Sequence, residues 1–159
     1  MRALRRNRAR HPRRGPVELS GAPVPAGEGR GRLLVLERPL SFWGGVDPET
    51  GRVSDPRHPQ YGVSLGGRIL VMERAIGSSS SSAIMLELLR NDVAPAAIVL
   101  GSTDAILVLG VLVAEELDYA SIPLIDVGSD GFERIRDGNG GHGHVRAGAR
   151  EAILRVSMS

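Results

Sequence analysis

Residues 68–91, RILVMERAIGSSSSSAIMLELLRN, decide the fold. An apolar strand over Arg68–Met72 is followed, after a short link, by five consecutive serines, Ser78–Ser82, and then by a helix-like run, AIMLELLRN. A flexible serine-rich linker separates self-sufficient segments. This run instead lies inside a strand-to-helix turn with apolar residues close on both sides, and it reads as the mouth of a site. Gly77 supplies a backbone conformation that residues with side chains avoid. One serine is expected to cap the helix, and the unpaired N–H groups of the first turn would attract an anion. The bland alternative is a helix cap with spare polar residues.

Downstream, PAAIVL at Pro95–Leu100, a helix within Thr103–Leu117 and IPLIDV at Ile122–Val127 continue the pattern strand, helix, strand, helix, strand. The strands are continuous apolar runs, as expected where both faces are covered, and the connections are long enough for parallel crossovers. The fold class is therefore α/β, a small parallel sheet with flanking helices. Ligands of such sheets collect beyond the carboxyl ends of the strands, where the serine turn lies. Asp104 or Thr103 is expected to cap the second helix.

Upstream, Val17–Leu19 and RLLVLE at Arg32–Glu37 read as two strands joined by a turn-rich loop. The stretch Leu40–Gly62, LSFWGGVDPETGRVSDPRHPQYG, is too long for an ordinary connection and reads as an ordered, functional loop. Phe42 and Trp43 would pin it, Trp43 as a buried anchor; an exposed Trp43 would be an interface residue. For Gly44, Gly45, Asp47 and His58, turn geometry and local hydrogen bonds are the favoured roles. The last part carries a helical candidate at Asp130–Arg136 and two candidate strands. His142 and His144 have the alternate spacing of a strand metal pair, but no third ligand is evident, and the segment GNGGHGHV reads as a solvated turn.

The chain has 159 residues, 42% of them hydrophobic, and mean hydropathy near zero, which fits one globular core. All 20 basic residues other than histidine are arginine. Seven of them fall in the first fourteen residues, which contain none of the 18 acidic groups, so residues 15–159 are net acidic. Residues 1–14 are expected to be a disordered tail and 15–159 the domain. The acidic domain argues against a nucleic-acid-binding fold, and only the tail is left as such a contact. With no cysteine, the chain offers no disulfide, no thiolate nucleophile and no thiolate ligand for zinc or an iron-sulfur cluster. Its longest apolar stretch, Ala105–Ala114, is too short to span a bilayer, and residues 15–31 lack the apolar core of an export signal. A soluble, cytoplasmic protein is expected.

The motifs LSFWGGVDPETGRV, DPRHPQYG, GSSSSSA before a leucine-rich helix, and APAAIVL, in that order, closely resemble the small, swivel-domain subunit of the aconitase X family from about Val17 onward. The resemblance implies a swivelling β/β/α domain like the last domain of aconitase. It also implies a large partner subunit that holds the iron-sulfur cluster. By position it makes Ser78 the catalytic base of a hydro-lyase, with Gly77, Ser79 and Ser80 as substrate-binding residues. Ser80 stands where aconitase itself carries a substrate-binding arginine, which argues against citrate or isocitrate. Two family activities remain: dehydration of cis-3-hydroxy-L-proline and of 5-phosphomevalonate. Archaeal small subunits tend to show GSTVGSY at this turn, so the unbroken serine run favours the hydroxyproline reaction.

Physical chemistry limits what the chain does alone. A helix N-terminus contributes about 0.3–1 kcal/mol and at most about 2, and one pKa unit corresponds to about 1.36 kcal/mol. The dipole therefore lowers a serine pKa by about one unit, far short of activating a hydroxyl. The rest must come from cationic groups or metal across a subunit interface, and the isolated chain is expected to be inactive. Two rivals from other classes are a phosphohistidine carrier domain, which needs a histidine that residues 77–83 lack, and a non-catalytic or nucleic-acid-binding protein using the basic tail.

Overall fold

The computed structural model describes residues 16–23 and 25–158; the Arg-rich tail lies outside them. Its elements are β1 (Val17–Pro23), β2 (Gly27–Val35), β3 (Leu40–Ser41), α1 (Phe42–Gly45), β4 (Ile69–Met72), β5 (Ala75–Ile76), α2 (Ser81–Arg90), β6 (Ala97–Leu100), α3 (Ala105–Glu116), β7 (Leu124–Asp126), α4 (Gly128–Ile135), β8 (His142–Ala147) and β9 (Ala152–Ser157).

Strands β2, β4, β6 and β7 form the expected parallel sheet, in register Leu33↔Ile69, Val71↔Val99 and Val99↔Ile125. The sheet does not stop there. β8 pairs antiparallel with β2, β9 with β8, β1 with β9, and β1 also with β7, so seven strands close into a barrel in the order β1-β7-β6-β4-β2-β8-β9. Closure removes both sheet edges. The expectation of a small parallel sheet is thus extended by an antiparallel half. Its strands β8 and β9 alternate buried and outward positions, so they lack the long apolar runs that identify covered strands.

The two halves bury their side chains differently. On the parallel half every residue of β4 and β6 is buried. Leu33, Ile69, Val71, Ala97, Val99 and Ile125 point into the barrel with Val145, Leu154 and Val156 from the antiparallel strands. Leu34, Leu70, Met72, Ile98 and Leu100 point outward into a second core under α2 and α3. Phe132 and Ile135 of α4 pack on the barrel core. Burying a side chain of this size contributes roughly 1.5–3 kcal/mol, so the covered half holds most of the fold.

The loop over Leu40–Gly62 is packed, as expected of an ordered segment. Leu40, Phe42, Val46 and Val53 are buried in the outer core. Val46 bridges Val53, Arg52 bridges Ser64, and Gln60 Nε2 donates to Val35 O at 2.8 Å. β3 pairs parallel with β5, Leu40 opposite Ala75 and Ser41 opposite Ile76. That pairing carries the loop to the serine turn.

Two local readings are corrected. His142 and His144 are in strand β8, not in a turn, because residues 142–147 pair with both β2 and β9. Trp43 is 56% exposed, while its neighbour Phe42 is fully buried. The backbone at Trp43 and Gly44 leaves the helical region, with Gly44 at φ 77°, and this break turns the indole outward. Asp104 caps α3 as expected, its Oδ1 accepting from Leu107 N at 2.9 Å. Thr103 instead donates its N–H to Asp126 Oδ2 at 3.0 Å and its hydroxyl to the same oxygen.

Candidate functional site

Gly77, the first residue after β5, has φ 105°, a conformation that only glycine adopts without strain. A Cβ at this position would overlap Ser41 Oγ and Cβ. The turn therefore presses directly on β3, which explains why no side chain is present at Gly77.

The next residues form a tight turn before α2. Ser78 O accepts from Ser81 N at 3.0 Å, Ser79 O from Ser82 N at 3.3 Å and Ser80 O from Ala83 N at 3.1 Å. The first-turn N–H groups are thus already bonded, contrary to the expectation that they stand free for an anion. The N–H groups without an acceptor among the described residues belong to Ser78 and Ser79, at the outer lip of the turn. Ser80 is the cap position but makes no side-chain cap bond. Capping is done two residues earlier: Ser80 N donates to Ser78 Oγ at 3.1 Å.

Ser78 is therefore an exposed hydroxyl whose oxygen receives a backbone N–H. Such a donor favours the oxygen as it gains negative charge. Ser79 is exposed, and its carbonyl accepts from Ser82 Oγ at 2.9 Å. Ser80 is half-buried and serves the turn through its backbone.

Ser81 is the residue that sequence reasoning missed. It is 4% exposed, and its Oγ accepts from Trp43 N at 3.2 Å. Ser41 Oγ donates to Trp43 O at 2.9 Å. The Trp43 peptide groups are held on both sides, and the loop and turn are locked together next to Ser78. Nothing in a run of five equal serines marks which one turns inward; that depends on a contact with a residue 38 positions away.

The other loop residues have local roles. Asp47 Oδ1 accepts from Glu49 N at 2.9 Å, and this bond, with that from Thr50, holds its carboxyl below the usual aspartate range. His58 is buried, with Nδ1 accepting from Gln60 N at 3.1 Å and Nε2 3.1 Å from Arg38 O; the first bond leaves the proton on Nε2. Gly44 and Gly45 turn the chain, their carbonyls accepting from the Ser54 hydroxyl and N–H. On the barrel's far side His144 pairs with Glu28. Among the described residues no three histidine, cysteine, aspartate or glutamate side chains converge on a metal position, and no helix is long and apolar enough to cross a membrane.

The arrangement thus offers one exposed hydroxyl with a backbone donor, and among the described residues no acid, base or cation is bonded to it.

Residues 18–156 match the family model described as the aconitase X swivel domain. The chain is 47% identical over 103 residues to cis-3-hydroxy-L-proline dehydratase of Pseudomonas aeruginosa, covering 65% of this chain and only 18% of that relative. It is 35% identical over 136 residues to the phosphomevalonate dehydratase small subunit of Methanosarcina mazei, covering 82% of this chain and 90% of that subunit. The crystal structure of Thermococcus kodakaraensis aconitase X in its holo form superposes with a TM-score of 0.73 at 33% identity, over 87% of this chain and 98% of that one. A barrel of this order, with a glycine-serine turn at the mouth of its helix-covered half and a match spanning nearly all described residues, places the chain in the aconitase X family, as its swivel domain.

Proposed function

We propose that this chain is the small subunit of an iron-sulfur-dependent hydro-lyase that dehydrates cis-3-hydroxy-L-proline, with Ser78 as the base that removes the proton beside the carboxylate. The observation that carries the proposal is the Ser78 hydroxyl itself, exposed at the turn and receiving the Ser80 N–H at 3.1 Å. Gly77 sets the turn, and the Ser78 and Ser79 N–H groups, which have no acceptor among the described residues, would receive the substrate carboxylate together with the Ser79 hydroxyl. The Ser80 side is taken up by the turn.

The residues present do not fit an iron-sulfur cluster, since the chain has no cysteine. The cluster belongs to the large partner subunit, which would supply Lewis-acid assistance to the departing hydroxide. This chain contributes the proton acceptor and its orientation. One N–H donor stabilises a developing alkoxide by far less than a serine hydroxyl needs, so the partner must also provide positive charge when it closes over the turn.

Support for the substrate comes from the 47% identity to the Pseudomonas aeruginosa hydroxyproline enzyme and from the unbroken serine run. A second reading, 5-phosphomevalonate, is favoured by a different observation: the match covers 90% of the Methanosarcina mazei subunit, a separate chain of similar extent.

Anaerobic co-expression with the large subunit, co-purification and a dehydration assay on both compounds test the proposal. Turnover of cis-3-hydroxy-L-proline by the complex and none by the separated chain is expected. Turnover of 5-phosphomevalonate alone would move the assignment to the second reading, and a complex inactive on both would refute both substrates.

A further inference from the structure

The outer face of α3 carries apolar side chains that the domain leaves uncovered. Leu109, Leu112, Val113 and Leu117 are 50%, 41%, 37% and 52% exposed. Their spacing puts them along one side of the helix, opposite Leu107, Val111 and Ala114, which are buried in the outer core. No charged residue occurs between Ala105 and Ala114. A helix on the surface of a self-contained domain normally turns a polar face to water, and contiguous exposed apolar groups mark an interaction surface.

The position of α3 identifies what covers it. A Cβ on Gly110 would lie 2.6 Å from Ser82 O and 2.8 Å from Met85 Cβ, so the missing side chain lets α3 approach the first turn of α2. Leu109 and Val113, neighbours of Gly110 in the helix, therefore lie on the part of α3 that meets the start of α2, the helix that follows Ser78. On its other side the turn is flanked by Trp43 and Ile76, 56% and 43% exposed. The serine turn has exposed apolar groups on both sides.

We infer that the outer face of α3 is a docking surface for the large subunit, an apolar ridge continuous with the rim that subunit closes over at Ser78. This rests on the proposed two-subunit assembly. The partner surface that fits is an apolar groove with basic residues at one end, because the ridge ends in the exposed carboxylates Glu116 and Asp118. In the Pseudomonas aeruginosa relative the matching segment is 18% of one long polypeptide, so a domain of this kind works against a much larger protein surface.

The test uses the anaerobically co-purified complex and measures the Kd between subunits for wild type, Leu112→Glu, the milder Leu112→Gln, and Arg146→Glu on the opposite side of the barrel. Leu112→Glu is expected to weaken association at least about tenfold, Leu112→Gln by less, and Arg146→Glu within about twofold. The thermal midpoint of each isolated chain should match wild type, and kcat at saturating small subunit should be retained. A wild-type complex that Leu112→Glu and Leu112→Gln leave unchanged would overturn the inference and leave the assembly standing. A wild-type chain that forms no complex would refute the assembly and the inference with it. A homodimer broken by Leu112→Glu, beside an unaffected complex, would assign the face to a second copy and overturn the inference.

Discussion

The two halves of the barrel share a core and differ in everything outside it. The parallel half is covered by α2, α3 and the packed loop, and its strands are buried on both faces. The antiparallel half is bare: outward positions of β8 and β9 hold His142, His144, Arg146, Ile153 and Arg155. A cavity of about 510 Å³ lies on this bare half, lined by Glu28, His144, Arg146, Glu151 and Arg155. Its charges largely answer one another, Glu28 pairing with His144 and Arg30, and Arg155 with Glu18. Exposed pairs of this kind contribute little. The serine turn, by contrast, exposes the Ser78 hydroxyl, which among the described residues is bonded only by the Ser80 N–H. This cavity and the exposed serine turn therefore lie on different parts of the molecule.

That contrast is broken most severely by Ser78→Ala. In the assembled enzyme it should lower kcat by about 10²–10⁴-fold, the range for loss of a positioned base, with the isolated chain's thermal midpoint nearly unchanged, as steady-state kinetics and a melting curve would read. Gly77→Ala forces a side chain into positive φ against Ser41. It should cost about 1–3 kcal/mol, measured by denaturant unfolding, and should reduce activity as well. Ser81→Ala removes the acceptor of Trp43 N and should cost about 1 kcal/mol, while lowering kcat through a looser turn; Ser81→Thr should restore part of both.

The smallest effect is expected on the bare half. The hydrogen bond from His144, then that from Arg30, holds the Glu28 carboxyl below its ordinary value. A carboxylate with a depressed folded-state pKa contributes stability above its unfolded pKa, about 4.3, and that contribution is lost as pH falls through the folded value. Glu28→Gln should therefore narrow the stability difference between pH 6 and pH 3 slightly, and should leave dehydration unchanged. A large loss of activity in this variant would contradict the division between the halves.

The covered half was legible in the sequence because burial on both faces writes continuous apolar runs, RILVM and PAAIVL, and because Asp104 stands before an apolar helix. The bare half was read only as candidate strands. Its closure depends on pairings such as Val17↔Val156 and Glu28↔Arg146, which no local pattern encodes, and the glycines around His142 imitate a turn. At the site, Gly77 and the junction were visible, and the resemblance pointed to Ser78. The inward turn of Ser81 was not, because it follows from a bond to the loop at Trp43; nor were the first-turn N–H groups bonded inside the turn and the outward Trp43, set by the backbone break at Trp43 and Gly44.

The most direct test of the account is proton removal itself, read separately from dehydration. The reconstituted two-subunit enzyme would be incubated with cis-3-hydroxy-L-proline in D2O, and solvent deuterium in recovered substrate and dehydration would be measured for wild type and for Ser78→Ala. The account predicts that Ser78→Ala still assembles and binds substrate, with any wash-in seen for wild type and all dehydration falling together by at least about a hundredfold. An assembled Ser78→Ala enzyme that dehydrates within about threefold of wild type would contradict it, and would place the base on the partner subunit.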